Sequence, residues 1–231
     1  MDDITENNEL LRDIVEELPS GWEKQPLRVI CNKITDGSHF SPKGVGEGYP
    51  YVTVKDIKND KIDFESCLRI SQKEFDVLRA NDCQPLPNDV LFSKDGTVGK
   101  VCIIDYKRDF VVLSSIAILR ADNRIIQSKY LYYTLKSSHL LRQAINKKKG
   151  VAIRRIILRD IKELCVNLPP INEQRRIVAR IEELFSSLDA GVASLKKAQA
   201  QLKTYRQSVL KWAFEGRLTK DWRKANLALI D

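Results

Sequence analysis

A narrow apolar stripe in the last third of the sequence constrains the possible folds more strongly than any other feature. Apolar or small residues recur every seven positions in two interleaved rows. One row holds Ile181, Leu188, Leu195, Leu202 and Val209, and the other holds Ile177, Leu184, Gly191, Ala198, Tyr205 and Trp212. This spacing is the a/d pattern of a coiled coil, sustained for about five heptads. We call these residues the helix stripe.

The helix stripe predicts a helix that needs a partner. From Ile177 to Trp212 such a helix would rise about 53 Å, whereas the mean helix has about 11–12 residues. The stripe is narrow and unbroken, and Gly191 and Ala198 let two backbones approach closely. These properties favour a helix–helix seam over packing against the chain's own strands, which is the alternative. The sequence contains no second helix of matching length, so the predicted partner is another chain or a further part of a longer one.

Upstream of the helix stripe, the sequence has the pattern of a β-rich domain with short helices. Runs such as "LRVIC", "DVLFS" and "IAILR" predict strands, and the turn signals Asp36-Gly37 and Asp95-Gly96 lie between such runs. Ser71 to Glu74 has capping-box spacing, and residues 127–145 predict one or two helices.

We therefore predict an α+β fold in four parts. The parts are a short amphipathic helix at residues 1–17, a mixed β-rich domain with short helices at 18–170, one long coiled-coil helix at 171–218, and a tail at 219–231. Asn172 is the predicted N-cap of the long helix, with Glu173 beside the positive end of the helix dipole.

The charge of the chain favours a polyanionic partner. The 231 residues carry a formal net charge of +8. The first 17 residues contain seven acidic residues and one arginine, so the remainder carries +14. Lysine and arginine displace the counterions that are condensed on phosphates, which favours nucleic acid as the partner. A merely well-solvated basic surface is the alternative explanation.

The sequence lacks the residue spacings of an enzyme or a metal site. His39 and His139 are far apart, and the five cysteines have no C-x-x-C spacing. We therefore predict no metal site, and free buried thiols in a reducing cytoplasm. The segment from Gly96 to Lys100 lacks the glycine spacing of a phosphate loop. No apolar run reaches the roughly 18–20 residues that a membrane span needs. Because no catalytic motif is present, we expect a protein that binds rather than catalyses.

Five motifs together resemble the specificity subunit of type I restriction–modification systems. They are "ELPSGWEKQPLRVI", "ITDGSH", "YPYVTVKDI", "NDVLFSKDGTVGKVCII" and "LPPINEQRRIVARIEELFSSLD". The resemblance covers nearly the whole chain. Its most specific part is the "LPP-x-x-EQ-x-x-I" entry to the long helix, from Leu168 to Ile177.

This resemblance implies a target recognition domain followed by a helix that pairs antiparallel with a partner helix. A full subunit of the family carries two such units, and each recognition domain contacts half of a split DNA site. The subunit is not catalytic. It docks two modification subunits, which methylate adenine with S-adenosylmethionine, and also two restriction subunits in the complete complex. No cofactor is expected in this chain, because S-adenosylmethionine, Mg²⁺ and ATP would belong to the partner subunits.

This sequence departs from the family pattern because it has a single unit. It is expected to be either a natural half-subunit that pairs with itself through the helix stripe, or one half of a longer chain. The alternative function is a coiled-coil adaptor whose β-rich domain binds protein rather than DNA.

Three segments carry the residue types that DNA recognition requires. Base edges are recognised by short donors and acceptors on turns and by forked side chains, whereas lysine and arginine bind phosphates. The first turn offers Thr35, Asp36, Gly37, Ser38 and His39, the hairpin loop offers Lys94, Asp95, Gly96, Thr97 and Lys100, and the basic segment offers Lys147, Lys148, Lys149, Arg154 and Arg155. Gly37 would let the backbone come close to DNA. Ordinary hairpin turns are the alternative explanation of the first two segments.

Overall fold

The chain groups into two compact units, Met1–Val178 and Ala179–Asp231. The structure is a computed structural model that describes residues 18–146 and 155–226. Within these residues the first unit mixes strands and helices, and the second unit is helical. The predicted α+β fold with one long helix is therefore confirmed. The helix predicted at residues 1–17 lies outside the described residues.

Strands and helices are interspersed along the chain. The strands are β1 (Glu23–Pro26), β2 (Cys31–Asp36), β3 (Tyr49–Val52), β4 (Ile57–Lys58), β5 (Lys61–Ile62), β6 (Leu68–Ile70), β7 (Val90–Ser93), β8 (Val101–Ile103), β9 (Val111–Val112), β10 (Ile116–Ala121) and β11 (Cys165–Leu168). The helices are α1 (Leu27–Ile30), α2 (Gln72–Ala80), α3 (Ser128–Lys136), α4 (Ser138–Asn146), α5 (Leu158–Lys162), α6 (Ile171–Phe214) and α7 (Lys220–Ala225), with a 3-10 turn at Val54–Asp56.

A four-stranded antiparallel sheet, in the order β2-β10-β7-β8, is buried on both of its faces. Successive side chains of a strand point to opposite faces. Accordingly, Val90 and Phe92 of β7 belong to one hydrophobic cluster, which includes residues of α1, α3, α4 and α5, whereas Leu91 belongs to another. Ile118 of β10 lies with Leu91, and Leu119 lies with Val90. Because both faces are buried, these strands are continuous apolar runs in the sequence rather than alternating ones.

A smaller sheet, in the order β6-β3-β9, packs against α2. Strand β3 pairs antiparallel with β6 and parallel with β9. The capping box before α2 is confirmed: Ser71 Oγ accepts a hydrogen bond from Glu74 N, and the Glu74 carboxylate accepts one from Ser71 N, both at 3.3 Å. In the same helix, the ring of Phe75 stacks on Tyr49 with 4.1 Å between centroids.

The β-rich part of the first unit begins and ends in neighbouring strands. Strands β1 and β11 pair antiparallel along their whole lengths. The Leu-Pro-Ser-Gly-Trp stretch before β1 forms a turn, in which Trp22 N donates to the carbonyl oxygen of Pro19 at 3.0 Å and Gly21 has a φ of 82°. Glycine adopts this left-handed conformation without steric cost. The entry into the unit and the start of α6 are therefore fixed side by side.

Gln174 anchors the first turns of α6 to the first unit. Its side chain is fully buried. Oε1 accepts a hydrogen bond from Gln127 N, and Nε2 donates to the carbonyl oxygens of Ile125 and Pro169, each at 2.9 Å. An amide side chain has two donors and a carbonyl acceptor, and all three functions are used here. The glutamine of the "LPP-x-x-EQ" motif is thus a structural anchor.

One strand prediction is wrong. "LRVIC" is not a single strand, because Leu27–Ile30 form one helical turn after Pro26 and β2 begins only at Cys31. Leu27 and Ile30 are both fully buried, and residues three apart share a face in a helix but not in a strand. The stretch predicted as one or two helices forms two, α3 and α4.

The start of the long helix differs from the prediction. Asn172 is not its N-cap, because α6 begins at Ile171. The carbonyl of Pro170 accepts hydrogen bonds from Glu173 N at 2.8 Å and Gln174 N at 3.1 Å, which makes Pro170 the capping residue. Asn172 instead lies in the first turn, where its Oδ1 accepts from Arg175 at 3.2 Å.

The helix ends at Phe214, before the predicted limit of residue 218. Gly216 has a φ of 71°. Gly216 N donates to Ala213 O at 3.1 Å, and Arg217 N donates to Trp212 O at 2.9 Å. These two bonds form a Schellman motif, which a glycine in the left-handed conformation terminates. The 44 residues of α6 rise about 66 Å.

Candidate DNA interface

The first turn and the hairpin loop leave the four-stranded sheet at the same end. Strand β2 ends at Asp36, which lies opposite Ala117 of β10. Strand β7 ends at Ser93, which lies opposite Ile116, the first residue of β10. The strand order β2-β10-β7 therefore places both segments beside the start of β10.

Arg155, the described residue of the basic segment, lies beside them because the next residue pairs with the backbone of Lys94. Lys94 N donates to the carbonyl oxygen of Ser115 at 2.8 Å, and Lys94 O accepts from Ile156 N at 2.9 Å. Arg155, the residue before Ile156, is thereby held beside the hairpin loop and is exposed. The structure thus brings the first turn, the hairpin loop and Arg155 together. Lys147, Lys148, Lys149 and Arg154 of the basic segment lie outside the described residues.

We call the first turn, the hairpin loop and Arg155 the loop cluster. An ion pair inside this cluster changes the interpretation of Lys94. Lys94 Nζ lies 2.9 Å from Asp36 Oδ2, and the side chains retain only 9% and 16% of their exposure. The other carboxylate oxygen of Asp36 lies 3.4 Å from Nε2 of His39, whose side chain is 76% exposed. Lys94 therefore joins the two loops internally and is not a solvent-facing cation.

Gly37 has a different purpose from the predicted one. A Cβ atom at this position would lie 1.9 Å from the carbonyl oxygen of Val112. Gly37 N donates to Ile116 O at 3.2 Å, and Ser38 N donates to Val112 O at 2.8 Å. The close approach that requires glycine is thus an approach to the chain's own backbone rather than to DNA.

Ser93 fixes the shape of the hairpin loop between β7 and β8. Its Oγ donates to Thr97 O at 2.5 Å and accepts from Lys100 N at 2.8 Å. Gly96 has a φ of 63° and has open space around it. Gly96 and Thr97 are exposed, whereas Asp95 is half-buried. The loop therefore has a fixed base and an exposed tip.

Lys100 is also used inside the first unit. Its Nζ donates to the carbonyl oxygens of Val54 and Ile57 at 2.9 and 2.8 Å. These bonds tie the hairpin loop to the 3-10 turn that follows β3. Like Lys94, Lys100 is better explained as a structural residue than as a DNA contact.

Phe40 is an exposed residue of this cluster that the sequence analysis did not single out. Ser38 Oγ accepts from Phe40 N at 3.0 Å and donates to Phe40 O at 2.7 Å, and the hydroxyl of Tyr51 donates to the same carbonyl at 3.0 Å. Burial raises the pKa of Tyr51, which keeps its hydroxyl protonated as a donor. Ser38 and Tyr51 are buried, whereas Phe40 is 64% exposed.

The tips that face solvent in this cluster are His39, Phe40, Gly96, Thr97 and Arg155. Thr35 is half-buried on β2, and Ser38 is buried beneath Phe40. The tips supply an imidazole, a hydroxyl, a guanidinium and an aromatic ring, which are groups that contact base edges and phosphates. DNA contact by these residues stays a prediction.

The described residues offer little for other chemistry. Within residues 18–146 and 155–226, no group of three or more His, Cys, Asp and Glu side chains is placed to hold a metal ion. In the same part of the chain, no helix combines the length and apolar character needed to cross a membrane. All five cysteines are free, and Cys31, Cys67, Cys83 and Cys102 are buried, which confirms the prediction of buried thiols for these four.

The helix stripe is a second surface, on α6. Its first residues, Ile177 and Ile181, are half-buried. Further along, Leu188, Leu195 and Leu202 are 63%, 72% and 61% exposed. Isolated exposed apolar residues are common on proteins, but a continuous row of them marks an interaction surface.

Comparisons with known proteins agree on one family. The family model described as type I restriction modification DNA specificity domain matches residues 19–203. The chain is 29% identical over 216 residues to the type I restriction enzyme EcoBI specificity subunit of Escherichia coli, covering 92% of this chain and 45% of that protein.

Solved structures show the same fold. The HsdS subunit from Thermoanaerobacter tengcongensis matches with a TM-score of 0.60 and 25% identity, over 94% of this chain and 53% of that chain. A chain solved in work on complex assembly and conformational transition of the type I R-M system matches with a TM-score of 0.65 and 24% identity, over 92% of this chain and 50% of that one. This chain therefore spans about half the length of the proteins that it matches.

Proposed function

This chain belongs to the type I restriction–modification DNA specificity family, and on that premise we propose that it is a non-catalytic unit that directs a type I complex to a DNA sequence. The observation that carries the proposal is the meeting of the first turn, the hairpin loop and Arg155 at one end of the central sheet. The Asp36–Lys94 ion pair and the Ile156–Lys94 backbone bond hold them together.

Different residue types at the exposed tips contact different parts of the DNA. His39 and Thr97 are short side chains that hydrogen-bond to base edges, which carry the sequence information. Arg155 binds phosphate or guanine, and the lysines at 147–149 add charge that neutralises phosphates. Because Asp36, Ser38 and Ser93 hold the backbone of these loops from within, the tips are positioned before DNA arrives.

The helix stripe sets the distance between two such recognition units. We propose that it pairs antiparallel with the stripe of a second copy, because a row of leucines that is more than 60% exposed gains stability when it is buried. Two copies related by two-fold symmetry would recognise a palindromic site that is interrupted by a spacer. The target is then bipartite.

Catalysis belongs to partner subunits in this proposal. A modification subunit carries S-adenosylmethionine and methylates adenine, and a restriction subunit in the full complex uses ATP and Mg²⁺. The complex acts in the cytoplasm, where its DNA target is located.

Co-expression with a modification subunit, followed by genome-wide mapping of methylated adenine, tests the function. We expect methylation at one interrupted sequence motif. Thr97→Ala should relax the motif at one position, whereas Thr204→Ala, an exposed threonine on α6, should leave it unchanged. If methylation bears no relation to sequence, the proposal fails.

The salt dependence of DNA binding separates this function from that of a protein-binding adaptor. Each phosphate contact contributes about 0.9 to the slope of log K against log salt. Arg155→Gln should therefore lower the slope by about one unit and weaken all duplexes similarly, if Arg155 binds phosphate. If the chain binds DNA weakly and its affinity does not change with salt concentration, it is a protein-binding adaptor instead.

A further inference from the structure

Phe40 is presented in an unusual way for an aromatic residue. Phe40 is 64% exposed as a residue, while Ser38 and Tyr51, which hold its backbone, are 4% and 3% exposed. Aromatic side chains are normally buried, because exposing such an area of carbon to water costs free energy. Here the chain uses two buried hydroxyl groups to hold a residue whose ring remains in water.

The hydrogen bonds fix both polar groups of the Phe40 backbone. Ser38 Oγ accepts from Phe40 N and donates to Phe40 O, at 3.0 and 2.7 Å, and Tyr51 donates to the same oxygen at 3.0 Å. A residue whose backbone is already ordered loses less entropy when its side chain is bound. Rigid, preorganised aromatic residues are typical anchors of binding surfaces.

The location of Phe40 indicates what the ring binds. It follows His39 in the first turn, and Asp36 of that turn is paired with Lys94 of the hairpin loop. A phenyl ring has no hydrogen-bonding group and gains nothing from a phosphate. On DNA it contacts bases, either at the methyl group of thymine in the major groove or as a wedge between stacked bases.

We propose that Phe40 is a specificity-determining residue that makes apolar contact with bases of the DNA half-site. This inference rests on the proposed function and deepens it. Phe40 contributes to the choice of sequence, whereas the cationic residues of the interface contribute mainly to general affinity for DNA.

The test compares Phe40→Ala with a matched control in the full chain complexed with its modification subunit. The control is Val77→Ala, which shortens an apolar side chain on α2 that is 54% exposed. The measurements are the dissociation constants for a duplex with the methylated motif and for a scrambled duplex, together with the methylation map. We expect Phe40→Ala to weaken binding to the motif at least about tenfold, to leave the scrambled duplex unchanged, and to relax one position of the map.

Three results would overturn the proposal. One is equal weakening on both duplexes, which would make Phe40 a general contact. Another is unchanged binding and an unchanged map. The third is loss of the modification subunit from the complex, which would make Phe40 a protein contact. If the unmutated complex itself shows no sequence preference, the proposed function fails as well, so the two failures are distinguishable.

Two modified duplexes identify the base contact. Replacing each thymine of the half-site by uracil removes one methyl group, and 2-aminopurine fluoresces when its stacking is disrupted. A uracil that weakens the unmutated protein but not Phe40→Ala assigns the ring to a thymine methyl. A rise in fluorescence that Phe40→Ala abolishes assigns it to a wedge. The absence of both signals would overturn the base contact.

Discussion

Asp36 and Lys94 form an ion pair, with 2.9 Å between Oδ2 and Nζ, that joins the first turn to the hairpin loop. Both groups are largely shielded from water, so each charge depends on the other for compensation. The geometry of the candidate DNA interface thus depends on a lysine that is shielded from solvent. Replacing Lys94 with a neutral residue should therefore lower the stability of the fold more than it changes the charge that the surface presents to DNA.

Lys94→Ala should lower the free energy of unfolding by about 3 kcal/mol, because it leaves the Asp36 carboxylate shielded without a cation. Lys73→Ala, at an exposed position of α2, should change it by less than about 0.5 kcal/mol. Urea denaturation followed by circular dichroism measures both. The double variant Asp36→Asn with Lys94→Met should lose less stability than Lys94→Ala, because neither charge remains. If Lys94→Ala were as stable as the parent, the pair would contribute nothing to stability.

Gln174→Ala should destabilise the junction between the first unit and α6. The substitution leaves Gln127 N, Ile125 O and Pro169 O without their side-chain partner, and each buried group left unpaired costs about 1–3 kcal/mol. Hydrogen exchange of the Gln127 amide should accelerate by a factor of ten or more. Gln199→Ala, at an exposed position of the same helix, is the control, and equal exchange in the two variants would contradict the anchor.

Leu195→Lys should weaken self-association at least about tenfold, because a leucine that is buried on pairing stabilises by about 1.5–3 kcal/mol. Sedimentation velocity over a range of concentrations measures the change. Ala193→Lys places the same charge on the exposed side of α6 opposite the helix stripe and should have little effect. Equal weakening by both variants would indicate general repulsion instead of a seam.

Duplicating residues 189–195 should lengthen the DNA spacer. One added heptad keeps the helix stripe in phase and adds about 10.5 Å, which corresponds to about three base pairs at 3.4 Å each. Methylation mapping of the variant should show the same half-sites at the new spacing. Duplicating only four residues breaks the phase and should abolish pairing. An unchanged spacer in the heptad variant would refute the proposal that the helix stripe sets the distance between the two units.

The thiols should differ in reactivity. Burial raises the pKa of Cys31, Cys67 and Cys102 to about 12. Because the thiolate is the nucleophile, a raised pKa keeps these groups protonated and unreactive across pH 7–9. Cys165 is half-buried and should react first with iodoacetamide, as mass spectrometry of the native protein would show. Rapid loss of all five thiols at pH 8 would contradict this structure.

The elements that could be predicted from the sequence are those with a strong internal pattern. The seven-residue spacing of the helix stripe predicts α6, because it places the apolar residues on one side of a helix, and the continuous apolar runs predict β7 and β10, because these strands are buried on both faces. The capping box at Ser71 is likewise a local signal, complete within one helical turn. "LRVIC" fails as a strand because five residues are too few to separate helical from strand periodicity.

The candidate interface could be predicted only in part, because its organisation depends on contacts between distant segments. The polar loops were identifiable from their residue types. However, a lysine that pairs with Asp36 has the same sequence signal as a lysine that faces solvent, so Lys94 and Lys100 were placed on the surface. Phe40 is exposed although its sequence signal is that of a buried residue, since a lone aromatic residue after a polar turn normally indicates a core position.

The pairing of β1 with β11 holds the two ends of the intervening chain next to each other. The loops of this intervening chain can therefore change in length and sequence while its two ends keep their separation. Under the function proposed above, replacing the chain between these two strands should change the DNA sequence that is recognised while leaving α6 unaltered.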